Sequence, residues 1–201
     1  MLVPFELAAQ LMSQMSGLSV SASSLWNWVQ ARGKQALAEV EEQLKALAAG
    51  EPIEPEALTA ALAEMTLVMA ADGVMVPLRP HVGTPRGKTV WQEVKVAVLA
   101  RLGHHLTLTG KTVSRLYQRR LVAVLGTVEA LAPRLQLEAL RQGLASAPKV
   151  VWLSDGGKGF WRLYQQYFAA SAVAILDFYH AAGHLWRAAA AWLDGRSSAA
   201  R

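Results

Sequence analysis

The chain has no cysteine, which excludes disulfides and thiolate-held metals and suits a reducing compartment without requiring one. No apolar run approaches the roughly 18 residues that cross a bilayer. The first residues, Met-Leu-Val-Pro-Phe-Glu, lack the basic start and long apolar stretch of a secretory leader. A cytoplasmic protein with no membrane partner is the expectation. Charge is scarce too: 17% of the 201 residues are charged, against 53% hydrophobic. That balance predicts apolar surface meant to be covered by something else. Acids are outnumbered by bases, and the formal charge of +5 favours a polyanionic partner. Aspartate is rarest of the charged types, with four in all: Asp72, Asp155, Asp177 and Asp194.

Three of those four close an apolar run. Met65–Ala71 precedes Asp72, Val150–Leu153 precedes Ser154-Asp155, and Ala172–Leu176 precedes Asp177. Each run reads as a buried strand. An ionised carboxylate at the mouth of such a strand is costly unless a metal or a hydrogen-bond network compensates it. In open α/β sheets, ligands gather outside the carboxyl ends of the strands. The pattern therefore predicts a divalent-metal carboxylate site on one rim of one sheet. The competing reading makes Asp72-Gly73 and Asp155-Gly156 ordinary Asp-Gly turns.

Along the chain, residues 1–50 read as a small helical, helix-turn-helix-like segment. Phe5, Leu7, Leu11 and Met15 keep helical spacing and Gly17 is placed to end that helix. Ser21 can cap a second helix through Leu25, Trp28 and Val29, with Arg32 and Lys34 at its end. Two helices joined by a short turn suit DNA contact, and a plain helical hairpin is the alternative. A separate solvated helix is expected over Ala36–Ala49. Residues 51–64, opening on Glu-Pro-Ile-Glu-Pro, form a linker and lead-in.

Residues 65–201 form the main domain. Strands are expected at Met65–Val76, interrupted by Asp72-Gly73, at Val90–Leu102, and around Leu106–Thr109. In the second, Val94, Val96, Val98 and Ala100 share one face. Arg79, Arg86 and Lys88 lie in a basic turn and are candidate phosphate contacts. A helical stretch carries Leu121, Leu125, Val128 and Leu131, is broken at Pro133 and resumes at Leu137. Then come the Val150 strand, a short helix at Phe160–Phe168, the strand ending at Asp177, and an alanine-rich helix from about His180 to Leu193. Three strands, then helix, strand, helix, strand, helix, is the ribonuclease H-like order. The fold class expected is thus α/β, a ribonuclease H-like mixed sheet with flanking helices.

Other motifs carry less. Gly156-Gly157-Lys158-Gly159 lacks P-loop spacing, with Phe160 where the hydroxyl ligand belongs, and reads as a tight turn. His180 and His184 share a helix face, but the zincin pattern needs Glu at 181, where Ala stands. Their expected role is to orient an acidic site. The tryptophans are taken as core and interface anchors.

One ordered set of motifs goes further. Ala71-Asp72-Gly73-Val74, Trp91-Gln92-Glu93-Val94, Ser154-Asp155-Gly156 and Leu176-Asp177-Phe178-Tyr179-His180, followed by His184-Leu185-Trp186, together resemble bacterial insertion-sequence transposases of the DDE type, in the Kra-type branch. Similar motifs occur in Mutator-like transposases. The resemblance implies a ribonuclease H-like core that cuts and joins double-stranded DNA at transposon ends with Mg²⁺ or Mn²⁺. It assigns Asp72 and Asp155 as catalytic and metal-binding acids, and Asp177 and His180 as auxiliary residues. A homo-oligomer or a full-length transposase would be the protein partner. The family's third acid is a downstream glutamate. Here the last glutamate is Glu138, and Asp194 is a substitute by spacing alone. A shortened copy, inactive by itself, is the expectation. A non-catalytic DNA-binding fragment and a ribonuclease H-like nuclease unrelated to transposition are the alternatives.

Overall fold

The computed structural model describes residues 3–78 and 89–192. The chain divides into two compact units, Met1–Pro52 and Ile53–Arg201.

The first unit is a helical hairpin. Helix α1, Phe5–Ser16, ends at Gly17, whose N–H still reaches the Ser13 carbonyl and whose φ of 70° turns the following chain out of the helix. Only glycine adopts that conformation without strain. Helix α2, Ala22–Ala48, starts at Ser21, whose hydroxyl accepts the Ser24 N–H at 3.0 Å. The separate helices expected before and after Lys34 are one 27-residue helix. Gly33 costs a helix only about 1 kcal/mol, and good helix formers surround it with no proline to stop the run. Leu25 is the one buried residue of α2.

In the second unit, a single turn, α3 (Ala60–Ala63), leads into strand β1 (Thr66–Leu78). Then follow β2 (Val90–Leu106), β3 (Thr112–Leu125), helix α4 (Val128–Arg141), β4 (Val150–Ser154), α5 (Lys158–Tyr167), β5 (Val173–Leu176) and α6 (Phe178–Trp192). The sheet order is β3-β2-β1-β4-β5. The first three strands form an antiparallel meander. β4 and β5 add in parallel beside β1. This is a ribonuclease H-like mixed sheet with flanking helices.

One sheet face forms the core. Leu67, Met69 and Ala71 of β1, Ala97 and Leu99 of β2, and Val150 and Trp152 of β4 pack against Leu131, Leu135 and Ala139 of α4 and Phe160 and Leu163 of α5. Trp152 stacks on Phe168 with ring centroids 5.5 Å apart. The core side of β2 is thus the set with Lys95 and Arg101. The opposite set, Val94, Val96 and Val98, is only half-buried. Arg101 is buried there because its guanidinium donates to the main-chain carbonyls of Met65 and Gln142.

Three further expectations fail for local reasons. β2 continues to Leu106, and Thr107–Gly110 is a turn, closed by Gly110 N–H to the Thr107 carbonyl at 2.9 Å. The third strand is therefore Thr112–Leu125, including residues expected to be helical. Leu121 and Leu125 are four apart, a spacing that keeps one face in either conformation. Pro133 does not break α4. It lies on the exposed side with Glu129, whose carbonyl loses its donor where water can replace it.

Candidate functional site

The parallel register of β1 and β4 runs from Leu67 opposite Val150 to Ala71 opposite Ser154. Asp72 and Asp155 are therefore the next residues along two adjacent strands. They meet where β4 stops but β1 does not: β1 stays paired with β2 through Leu78, with Asp72 opposite Val96. Asp72 thus does not end its strand, and Asp72-Gly73 is no turn. What ends there is the parallel neighbour. Beyond Ala71 the strand has lost one flank, and Asp72 is exposed. Its Oδ1 accepts the Gly73 N–H at 2.7 Å. The Glu93 carboxylate, paired with Lys95 at 2.6 Å, lies over Gly73, where a Cβ would require that side chain to move aside.

Asp155 follows the end of β4 in a tied turn. Its Oδ1 accepts the Gly157 N–H at 2.9 Å, and its carbonyl accepts the Trp161 indole N–H at 2.7 Å. Behind it, Ser154 is buried and its hydroxyl accepts the Trp152 indole N–H. On the next strand, Asp177 donates its N–H to the Ser154 carbonyl at 3.0 Å. Asp177 Oδ1 accepts the N–H groups of Tyr179 (2.8 Å) and His180 (3.3 Å), so it caps α6. His180, held on that first turn, places Nε2 3.8 Å from Asp155 Oδ2. The Asp-x-x-His spacing therefore has a mechanical meaning: the aspartate starts the helix and the histidine points back to the neighbouring acid. Asp72, Ser154 and Asp177 line one depression of about 220 Å³ whose apolar side is Ala70, Val96, Val98 and Leu153.

The structure gathers Asp72, Asp155, Asp177 and His180 at one rim. Arg32 and Lys34 belong to the other compact unit, in the middle of α2 and not at its end. The Arg32 guanidinium donates to Gln35 at 2.7 Å. Arg79, Arg86, Lys88 and Asp194 lie outside the described residues. Among the described residues, no group of three or more His, Asp or Glu side chains surrounds one metal position. The rim offers two neighbouring carboxylates. That oxygen donor set fits a hard divalent ion such as Mg²⁺, which commonly takes one or two protein carboxylates and keeps several waters.

A second polar cluster had no sequence signal. Glu56 accepts from Arg120, Arg141 and Gln142, and Glu138 accepts from Arg141 and Gln142. Burial pushes Glu56 upward, but the hydrogen bond and charge of Arg120, with Gln142 and Arg141, outweigh it and hold the carboxyl below its ordinary value. Glu138 goes the other way. Burial lifts it, the Arg141 charge opposes, the Glu56 charge adds, and the net is a raised carboxyl. The partners of Glu56 are 64 to 86 residues from it, so no local pattern announces them.

No family model and no curated protein matches the sequence. A solved structure, the Drosophila P element transposase strand transfer complex, matches 81% of this chain at 15% identity and a TM-score of 0.28. The chain spans 35% of the length of that structure. At that score the likeness carries no argument here, and the fold is read from the strand order alone.

Proposed function

We propose that the sheet rim at Asp72 and Asp155 is a divalent-metal site acting on DNA phosphodiesters, in a domain of the DDE transposase type. The register carries this reading: it ends at Ala71 opposite Ser154, one residue before Asp72 on β1 and Asp155 just past β4. Mg²⁺ or Mn²⁺ held there would activate an attacking oxygen and neutralise charge on the phosphodiester. The chain's own part is to fix the two carboxyl groups. Local N–H groups bind one oxygen of each, and Trp161 ties the backbone of the Asp155 turn. His180 stands beside Asp155 as a positioning residue. The ordered motifs of the insertion-sequence transposases, in the Kra-type branch, support the choice of DNA over other phosphodiesters, with transposon ends as substrate.

A second reading is a DNA-binding fragment without chemistry, favoured by the two-acid rim. Paramagnetic broadening by Mn²⁺ separates the readings from no reading at all. Amides around both Asp72 and Asp155 should broaden in the wild type and sharpen in Asp72→Ala. Broadening elsewhere removes the metal site. Nicking of supercoiled DNA that needs Mg²⁺ and both aspartates supports catalysis, and binding without nicking supports the fragment.

A further inference from the structure

His180 and His184 face each other on α6 with Nε2 atoms 2.9 Å apart, their rings inclined at 62°. Residues four apart on a helix are neighbours, but imidazoles usually turn their ring nitrogens to water or to different partners. Here the two Nε2 atoms lie within hydrogen-bond distance of each other. With metal–nitrogen bonds of about 2.05 Å, two imidazoles at a right angle around one ion place their nitrogens about 2.9 Å apart, and a tetrahedral pair about 3.3 Å. The observed separation matches the right-angled pair, and it is also the length of the N–H···N hydrogen bond that the two rings make without an ion. Asp155 Oδ2, at 3.8 Å from His180 Nε2, brings negative charge to the same place. His184 is exposed and His180 half-buried, so an ion can reach them from solvent.

We propose that His180 and His184 chelate a transition-metal ion of the Ni²⁺, Cu²⁺ or Co²⁺ type, with Asp155 as its anionic neighbour. Imidazole suits these ions, and square or octahedral geometry distinguishes Ni²⁺ and Cu²⁺ from tetrahedral zinc. The site shares Asp155 with the Asp72–Asp155 pair, whose oxygen donors suit Mg²⁺ or Mn²⁺, and does not use Asp72. Chelation across one turn locks the start of α6, which Asp177 caps.

The test is calorimetric titration of Ni²⁺ into the tag-free full chain. One ion per chain should bind, with excess Mg²⁺ unable to displace it. Loss of even an outer partner costs metal sites about 10–100-fold, so His184→Ala should weaken binding at least about tenfold. Its exposed position leaves the fold intact, checked by circular dichroism. Asp155→Asn should weaken binding less, and Asp72→Ala should leave it unchanged. Equal affinity in His184→Ala overturns the proposal. So does loss in Asp72→Ala, which would put the ion on the carboxylate pair. No binding at millimolar Ni²⁺ leaves the histidines as a simple N–H···N hydrogen bond.

Discussion

Glu56 and Arg141 hold each other twice. The Glu56 N–H donates to the Arg141 carbonyl at 2.7 Å, and the Arg141 guanidinium donates back to Glu56 Oε1 at 2.8 Å. The exchange straps the segment before β1 onto the end of α4. Arg120 of β3 joins from the far edge of the sheet, near Glu138 as well. One carboxylate thus ties the segment before β1 to two later elements, β3 and α4.

The two acids of this cluster should respond oppositely to neutralisation. At pH 7, Glu56→Gln loses charge-assisted bonds and is expected to cost about 1–3 kcal/mol. Glu138→Gln removes a charge that the fold disfavours, and should leave stability unchanged or raise it. The pH dependence follows. Glu56 is lowered, so its contribution is present above the ordinary carboxyl value of 4.5 and is lost as pH falls through the lower folded value. Glu138 is raised, so its cost emerges only as pH rises from 4.5 through its folded value. Urea unfolding of both variants at pH 4 and pH 7 checks the signs. An equal loss for both at pH 7 would contradict the direction assigned to Glu138.

Asp177 and His180 should also separate. Asp177→Ala removes the cap of α6 and should cost about 1 kcal/mol of local stability, with faster hydrogen exchange at the amides of the first turn. His180→Ala leaves that cap in place and should not speed exchange at Tyr179. If both variants fray the helix alike, capping is not what divides their roles.

The rim was legible in sequence because its parts are local: an apolar run, an aspartate, and an order of elements that makes the first and fourth strands neighbours. The ends of those elements were less so. Asp72 looked terminal because its apolar run ends there, yet β2 supplies a partner beyond it and the strand goes on. β3 looked helical because Leu121 and Leu125 fit both periods, and only the pairing with β2 decides between them. The inward face of β2 was not legible because Lys95 and Arg101 resemble surface residues. Arg101 is inside because two carbonyls, from Met65 and Gln142, receive it. Nothing near Arg101 in the chain foretells either one.

If DNA is the partner, the charges of α2 supply phosphate contacts. Each contact adds about 0.9 to the slope of log affinity against log salt. Arg32→Ala with Lys34→Ala should therefore lower the slope for double-stranded DNA by about 2, measured by fluorescence anisotropy. Helicity should persist, since alanine favours the helix at both positions. An unchanged slope would take α2 out of the interface.

The face of the sheet opposite the core is apolar and open. Val94, Val96 and Val98 of β2, Leu121 and Leu125 of β3, Val151 and Leu153 of β4, and Val173 and Ile175 of β5 share it by register. Leu121 is 67% exposed and Val173 58% exposed. Helix α6 has no buried residue and leaves Leu185 and Trp186 exposed as well. Contiguous apolar surface on this scale draws partners, and the most available partner in a pure sample is another copy. The chain is therefore expected to self-associate, with sedimentation showing mass that rises with concentration. Leu121→Lys with Ile175→Lys puts two charges on that face and should shift the protein toward monomer, while circular dichroism stays the same. Val29→Lys with Leu37→Lys, at two exposed residues of α2, serves as the control of equal charge and should not shift it. A wild-type chain that sediments as a monomer at every concentration, or a control that disperses it equally, would show that the open sheet face is not what brings copies together.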